Sequence, residues 1–356
     1  VSLSDRNDHA TGSLADLGWS RHFESQLDPG AAVARGRVAE VHRDRVTLRT
    51  PGGDRTIACG PDRATRDIAV GDWVTFDEQG GAQGEALLDV LDRRTVLQRR
   101  AAGNDGAMQL IAANVDTVFI VTSCNADFNV ARLERYLALA AQGGIVPVIV
   151  LTKADASDAV QGLSRQAERL SPLVTALTLD ARDPEQVGAL LPWLRPGETG
   201  ALVGSSGVGK STILNALTGG DAAVQGIREN DAKGRHTTTA RSLHRTRSGA
   251  WMIDTPGIRQ LSLAEAGEAI DAVFTDVTDL AGQCRFGDCA HESEPGCAVR
   301  AAVEAGTLDI GRVARWRKLH LEDIYAAETA PETRTRQKAF SRHVKDAIGG
   351  KRGRKR

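Results

Sequence analysis

Gly204-Ser205-Ser206-Gly207-Val208-Gly209-Lys210-Ser211-Thr212 decides how the whole chain is read. It follows the apolar run Ala201-Leu202-Val203 and precedes a helix-patterned run, residues 213–217. That is G-x-x-x-x-G-K-[ST] in the strand–loop–helix setting the pattern needs. Glycines let backbone N–H groups close around phosphate oxygens, and a helix N-terminus adds partial positive charge. Lys210 is expected to reach the β- and γ-phosphates of a nucleotide, and Ser211 to ligate its Mg²⁺. A chance glycine-rich turn would seldom fill every fixed position and both flanks. The loop alone separates neither ATP from GTP nor a kinase from a hydrolase.

Outward from this loop, strand-like and helix-like runs alternate. Residues 118–121 form a buried-strand run, 130–141 carry Leu133, Leu137 and Ala140 on one helical face, and 145–151 are strongly apolar. A helix (157–170), a strand (173–179) and a helix (184–194) lead into the phosphate-loop strand. Such alternation predicts a parallel sheet with helices on both faces. Residues 35–98 differ. Val38, Val41, Val46 and Leu48 are apolar among charged neighbours, and Pro51-Gly52-Gly53, Gly60-Pro61 and Gly80-Gly81 are turn signals. About five short strands in this stretch fit a small barrel such as an OB-fold. Trp73 within it is read as core, with base stacking as the alternative. The expected architecture is multidomain α/β. It runs as a flexible arm (1–34), an OB-fold β-barrel (35–100), a nucleotide domain (101–263), a helical metal-binding domain (264–333) and a basic tail (334–356).

Composition excludes several classes. The chain is 41% hydrophobic and 26% charged, enough apolar material for a sizeable core, so it is not a disordered polyelectrolyte. Five cysteines are too few for a disulfide framework. No run approaches the ~18 apolar residues of a membrane span. Residues 1–12 are polar and predict no signal peptide, so a soluble cytoplasmic chain without membrane partners is expected. The net charge of −1 hides an asymmetry: residues 334–356 hold ten Lys or Arg and one acid, leaving an acidic body with a basic tail. A polyanionic partner, nucleic acid or a ribosome, is expected at that end.

The base is indicated by Thr152-Lys153-Ala154-Asp155, at the end of the apolar run 145–151. A carboxylate there can accept from guanine N1–H and N2–H₂, a donor pair that adenine lacks. Charge-assisted hydrogen bonds are worth roughly 1.5–3 kcal/mol each, so two discriminate strongly. The Lys153 stem can lie along the purine face. Asp254-Thr255-Pro256-Gly257 follows the apolar Trp251-Met252-Ile253. Asp254 can hold Mg²⁺ through water, and the Gly257 amide can sense the γ-phosphate. Between these lies Lys233-Gly234-Arg235-His236-Thr237-Thr238-Thr239, which reads as a mobile switch. Its threonines can complete the Mg²⁺ shell, and we assign Thr238 to it.

The order of motifs is unusual. GTPases of the translational type run phosphate loop, switch threonine, D-x-x-G, then base motif; here the base motif comes first. A circular permutation preserves the parallel sheet and opens the chain elsewhere. The chain after Gly257 then runs directly into the C-terminal region, so switch movement has a short covalent route there.

With the permuted order, the G-R-H-T-T-T and D-T-P-G-I motifs, Ala113-Asn114-Val115-Asp116, Asp127-Phe128-Asn129 and a downstream C-x4-C-x-H-x5-C, the chain resembles the circularly permuted GTPases of small ribosomal subunit assembly. The match covers about residues 35–325. The resemblance implies an N-terminal OB-fold, a permuted GTPase domain and a C-terminal zinc domain. It also implies GTP and GDP as ligands, and the small subunit with its rRNA as the partner that stimulates hydrolysis in late maturation. A monomer is expected. Thr152 departs from the pattern, since many members carry Asn there, and a hydroxyl has fewer bonding options than an amide.

Many GTPases place a Gln after D-x-x-G to orient the attacking water. Here the residue is Ile258, which cannot hydrogen-bond. Hydrolysis is therefore intrinsically slow, or another group positions the water. His236 resembles the family's switch histidine and is the candidate; an arginine from the partner is the alternative, and a plain surface histidine the other. Cys284, Cys289, His291 and Cys297 make a Cys₃His set that would complete a tetrahedral structural Zn²⁺ site with no open position. Such sites bind zinc with about 10–16 kcal/mol. Cys59 and Cys124 are read as buried thiols, and the helix bearing Trp316 and His320 as packed on the metal region. Two rivals to the assembly GTPase stay open. One is a permuted GTPase serving the large subunit or another RNA. The other is a zinc- and OB-based RNA-binding module whose nucleotide is structural.

Overall fold

The structure, a computed structural model, describes residues 12–30, 33–59, 64–78, 86–100, 108–156, 158–172, 174–220, 241–255, 263 and 265–327. The short strands of the N-terminal region are β1 (Ala34–Val41), β2 (Arg45–Thr50), β3 (Gly53–Ala58), β4 (Trp73–Asp77) and β5 (Ala86–Val90). Strand β1 pairs with both β2 and β4, β2 with β3, β3 with β5, and β5 with β4, which closes a five-stranded barrel. Alternation along the strands turns Val38, Val46, Leu48, Ile57, Val74 and Phe76 into one buried cluster. Trp73 is buried, in keeping with a core position.

Residues 12–30 correct the expectation of a flexible arm. They form a 3₁₀ turn (Ala15–Leu17) and a short helix (Arg21–Glu24), with Leu17 and Phe23 fully buried. Irregular backbone can dock this way when single side chains hold it. The Trp251 indole N–H donates to the Asp16 carbonyl at 2.8 Å, and Arg37 donates to the Leu17 carbonyl at 2.7 Å. Trp19 packs edge-on against Trp73. Arg37 is fully buried and also reaches the Thr199 hydroxyl at 2.6 Å, so arm, barrel and nucleotide sheet share one guanidinium. Burial pulls its pKa down to about 10, which is far too little to discharge it at neutral pH.

A hairpin, β6 (Val96–Arg100) and β7 (Met108–Ala113), leads into the second sheet. Its strands are β8 (Thr117–Ser123), β9 (Val146–Thr152), β10 (Thr175–Thr178), β11 (Thr199–Val203), β12 (Ser242–Arg245) and β13 (Trp251–Asp254). The spatial order is β10-β9-β8-β11-β13-β12, parallel except for β12, which runs antiparallel to β13. Both faces of β8 are buried. Val118 and Ile120 pack with the helix Val130–Gln142, while Phe119 and Val121 pack with Ile213, Leu214 and Leu217 of the helix Lys210–Thr218. The expected parallel sheet with helices on both faces is present. The helix expected at 184–194 is a short α-helix (Pro184–Val187) running into a 3₁₀ stretch (Gly188–Trp193). Pro192 lies inside it and lacks the N–H that a regular helix needs. Strand β12 also joins β1 of the barrel, with Glu40 opposite Ser242, so barrel and sheet are continuous.

The C-terminal region is helical: Gly267–Val273, Thr275–Ala281, Ala298–Glu304 and Ile310–Ala327. Glu134, buried on the helix Val130–Gln142, meets Arg312 and Arg315 at 2.8 Å each. Arg312 also bonds Asp276 and the carbonyls of Leu170 and Val273. A buried carboxylate is tolerated only with such partners, so this network fixes the C-terminal helices to the nucleotide sheet. Among the described residues no helix is long and apolar enough to cross a membrane.

Candidate functional site

The phosphate loop connects β11 to the helix Lys210–Thr218. Gly204 has φ +139°, and a Cβ there would lie 2.1 Å from the Val121 carbonyl oxygen. Gly209 has φ +101° and caps the helix N-terminus in a conformation that L side chains rarely adopt. The loop is thereby shaped by backbone alone, with helix N–H groups pointing into it. The Lys210 ammonium donates to the Gly204 carbonyl at 2.9 Å and the Ser205 carbonyl at 2.5 Å, which holds it at the loop's mouth. Ser211 and Thr212 open the helix beside it, and Ser205, Ser206, Gly207 and Val208 complete the turn.

Asp254 ends β13, in register with Leu202 of β11. Burial pushes its carboxyl up, while the nearby His244 ring and Lys210 ammonium pull it back. Its neighbour Thr255 donates its hydroxyl to the Leu202 carbonyl. Asp254 and Ser211 therefore flank the phosphate loop from adjacent elements, and both are oxygen donors of the kind Mg²⁺ prefers.

Thr152 ends β9 and is fully buried. Its hydroxyl donates at 2.6 Å to the Val208 carbonyl within the phosphate loop. The departure from Asn thus ties the base loop to the phosphate loop directly. Lys153 takes φ +56°, and Ala154 and Asp155 enter a 3₁₀ turn. The Asp155 carboxylate is exposed and meets Arg182 at 2.8 Å; Arg182 also holds Asp180 at 2.8 Å. Asp155→Asn is expected to weaken GTP by about 10²-fold or more, through loss of charge-assisted bonds. It should favour a xanthine nucleotide, whose 2-carbonyl replaces the 2-amino donor. Titration with labelled nucleotides checks this, and wild-type GTP affinity in the variant would remove Asp155 from base recognition.

Three groups at the site were not singled out from sequence. The Tyr136 phenol lies at the Gly204 backbone, and burial pushes its pKa up to about 12. Arg182 stands beside Asp155, and Ala181 beside Gly209 of the phosphate loop, both just past the carboxyl end of β10. Their place was findable, because open α/β sheets bind ligands at strand carboxyl ends. Asn114, at φ +55°, accepts from the Arg94 amide and donates to the Gly71 carbonyl, while Asp116 accepts from the Thr199 amide. The Ala113-to-Asp116 motif is thus a joint between hairpin, barrel and sheet. Asn129 caps the helix Val130–Gln142, accepting from the Arg132 amide. His236, Thr238, Gly257, Ile258 and the basic tail lie outside the described residues.

Cys284, Cys289, His291 and Cys297 converge, with their ligand atoms all within 4.8 Å of one another. His291 turns its Nδ1 to Cys284 Sγ at 3.4 Å and to Cys297 Sγ at 3.5 Å, and the two sulfurs are 3.8 Å apart. These separations fit four ligands about one tetrahedral ion at ~2.0–2.3 Å each. Four protein donors leave no place for water or substrate, so the zinc they would hold is structural. Trp316 of the helix Ile310–Ala327 packs on this site, 5.6 Å from the His291 ring, and His320 packs edge-on behind Trp316.

The model of the family described as RsgA GTPase matches residues 90–264. A small ribosomal subunit biogenesis GTPase RsgA of Mesorhizobium japonicum is 51% identical over 87% of this chain and 90% of its own. A protein of the same name from Xanthomonas campestris is 50% identical, over 89% of this chain and 87% of its own. The YjeQ structure from Thermotoga maritima is 26% identical, with TM-score 0.60 over 82% of this chain and 98% of that one. The structure of YloQ, a circularly permuted GTPase, shares the fold at TM-score 0.56 and 23% identity, over 83% of this chain and 96% of its own. With its T-K-x-D motif preceding its phosphate loop, and relatives matched over nearly their full length, the chain belongs to the RsgA GTPase family and is a GTP hydrolase on the permuted fold.

Proposed function

We propose that the protein binds the small ribosomal subunit and its rRNA with GTP, hydrolyses GTP in late maturation of that subunit, and leaves in the GDP state. The likeness that carries this is the identity of 43–51% to small ribosomal subunit biogenesis GTPases over most of the chain. The structure supports it mechanically. Strand β12 follows residues 221–240 and is bonded to the barrel, while Glu134 grips the C-terminal helices. Nucleotide-dependent movement thus has two attached regions to act on, the barrel and the C-terminal helices. The alternative of a structural nucleotide lacks a use for Lys210 and Asp254 at the same loop.

In this scheme Lys210 and the loop amides hold the β- and γ-phosphates, and Asp155 and Lys153 read the base. Ser211, Thr238 and Asp254 would hold Mg²⁺, which neutralises charge between the phosphates. His236 positions the attacking water, and Gly257 senses the γ-phosphate. The protein acts as a cytoplasmic monomer. His236→Ala is expected to lower the hydrolysis rate with GTP affinity nearly unchanged; equal losses in both would make His236 part of switch structure.

Co-sedimentation with purified subunits tests the proposal. Strong binding to small subunits with a non-hydrolysable GTP analogue, and weaker binding with GDP, is expected. Equal binding in both states would sink nucleotide-coupled release, and a preference for large subunits would sink the partner. Residues 334–356 are the expected electrostatic anchor. A 1–333 protein should bind subunits more weakly and with a flatter salt dependence, since ~6–10 phosphate contacts lose about 10³–10⁵ in affinity between 50 and 200 mM salt. Identical salt slopes for the two proteins would make the tail a bystander.

A further inference from the structure

A cavity of about 510 Å³ lies where the barrel meets the nucleotide sheet. That is the size of a ligand pocket, ~300–1,000 Å³. Its lining includes Glu40, Arg49 and Asp54 from the barrel and His244, Arg245 and Arg247 from β12 and the turn after it. Thr218 places it at the C-terminal end of the helix Lys210–Thr218. The phosphate loop is at the other end, about 14 Å away at 1.5 Å per residue. The cavity is therefore separate from the nucleotide site.

Its charges are unevenly matched. Asp54 pairs with Arg49 at 3.5 Å, and Glu40 with His42 at 3.3 Å. Arg245 and Arg247 are exposed and have no carboxylate within ion-pair distance among the described residues. Arg49 lies over the Trp251 ring at 5.5 Å, and its Nε is buried without a hydrogen-bond partner. Arg247 is held by the fold. A Cβ on Gly219 would come within 2.5 Å of its Nε, and its amide donates to the Leu217 carbonyl at 3.0 Å. A cation there also meets the negative end of the helix. Guanidinium groups present planar forks that bind phosphate bidentately. Two unpaired forks on the rim and a third at the wall suit an anion that arrives from outside and stays partly exposed.

We propose that this cavity is a second phosphate-binding site, which takes a phosphodiester of the RNA backbone. This rests on the small subunit and its RNA being the partner. Exposed arginines at the rim suit a chain passing across it better than a small molecule enclosed within it. Occupation would bear on β1 and β12 at the pair Glu40 and Ser242, and so on the strand that follows the switch.

The test uses the full-length protein and an Arg245→Ala/Arg247→Ala variant. Small-subunit binding between 50 and 200 mM salt should weaken about tenfold in the variant. The slope of log affinity against log salt should flatten by about 1.4–1.8, at 0.7–0.9 per lost phosphate contact. GTP affinity and basal hydrolysis of the free protein should not change. An Arg245→Lys/Arg247→Lys variant, which keeps charge and loses the fork, should fall between the two. Unchanged affinity and slope in the alanine variant would overturn the site. Calorimetric titration with inorganic phosphate separates the sources: arginine-dependent phosphate uptake with unaltered subunit binding would overturn the RNA assignment. A short single-stranded RNA oligonucleotide separates this site from the proposed function. If wild type fails to bind subunits but binds the oligonucleotide through these arginines, the function fails and the site stands. If both proteins bind the oligonucleotide equally, the site fails whatever the subunits do.

Discussion

Lys210→Ala is expected to reduce GTP turnover by about 10³-fold, the scale on which removing one positioned charge-stabilising donor slows an enzyme. Phosphoryl transfer offers the protein little covalent chemistry, so positioning and charge carry the rate. Lys210 sits at the loop's mouth on the Gly204 and Ser205 carbonyls, where it can move to phosphate oxygens without backbone rearrangement. The variant should stay folded. Lys210 is the first residue of its helix, where alanine is a good helix former, and the loop's shape is set by Gly204 and Gly209. The measurement is kcat/KM beside a thermal melt. Turnover within tenfold of wild type would remove Lys210 from the chemistry. A lowered melting point would turn the loss into a folding effect.

The parts of this site that were legible in sequence are those where geometry is encoded within a few residues. The phosphate loop is one such element: glycine spacing sets its backbone, and the flanking strand and helix are contiguous with it. The Cys/His set is another, since ligand spacing closes a local chelate. What could not be read depends on partners far apart in the chain. In sequence Thr152 reads only as part of the base motif. Its hydroxyl instead bonds Val208, 56 residues away, so its role belongs to loop–loop packing. Arg37 reads as a charged residue on a barrel strand, yet it is buried between Leu17 and Thr199. Glu134 meets Arg312 across 178 residues, and no periodicity in either helix announces the pair. The docking of residues 12–30 has no signature in sequence for the same reason. Leu17, Trp19 and Phe23 follow no helical or strand period, because they are held one by one by barrel and sheet. The permutation, by contrast, is legible because it is a matter of motif order.

Cys289→Ser is expected to abolish stoichiometric zinc and to melt one segment only. Residues 282–297 contain no helix or strand, and among them Cys297 alone is buried. A stretch with that little apolar burial cannot offset the entropy of ordering it, about 1–2 kcal/mol per residue for the backbone, so the four-donor site must supply the difference. The helix Ile310–Ala327 is in a different position. Arg312 and Arg315 hold it to Glu134, Arg312 stacks on Phe274 at 4.1 Å, and Asp271 accepts from Trp316 and bonds His320. Those contacts do not involve the metal. Hydrogen exchange should therefore show amides of 282–297 losing protection in the variant while those of 312–323 largely keep it. Nucleotide affinity should be unchanged, because the phosphate loop and base loop rest on the sheet and not on the zinc segment. Elemental analysis should find one zinc per wild-type chain and none in the variant. A zinc-free wild-type protein with a protected 282–297 segment would sink the metal site. Loss of protection along the whole of 310–327 would show instead that the zinc, and not the Glu134 network, fastens the C-terminal helices to the GTPase sheet.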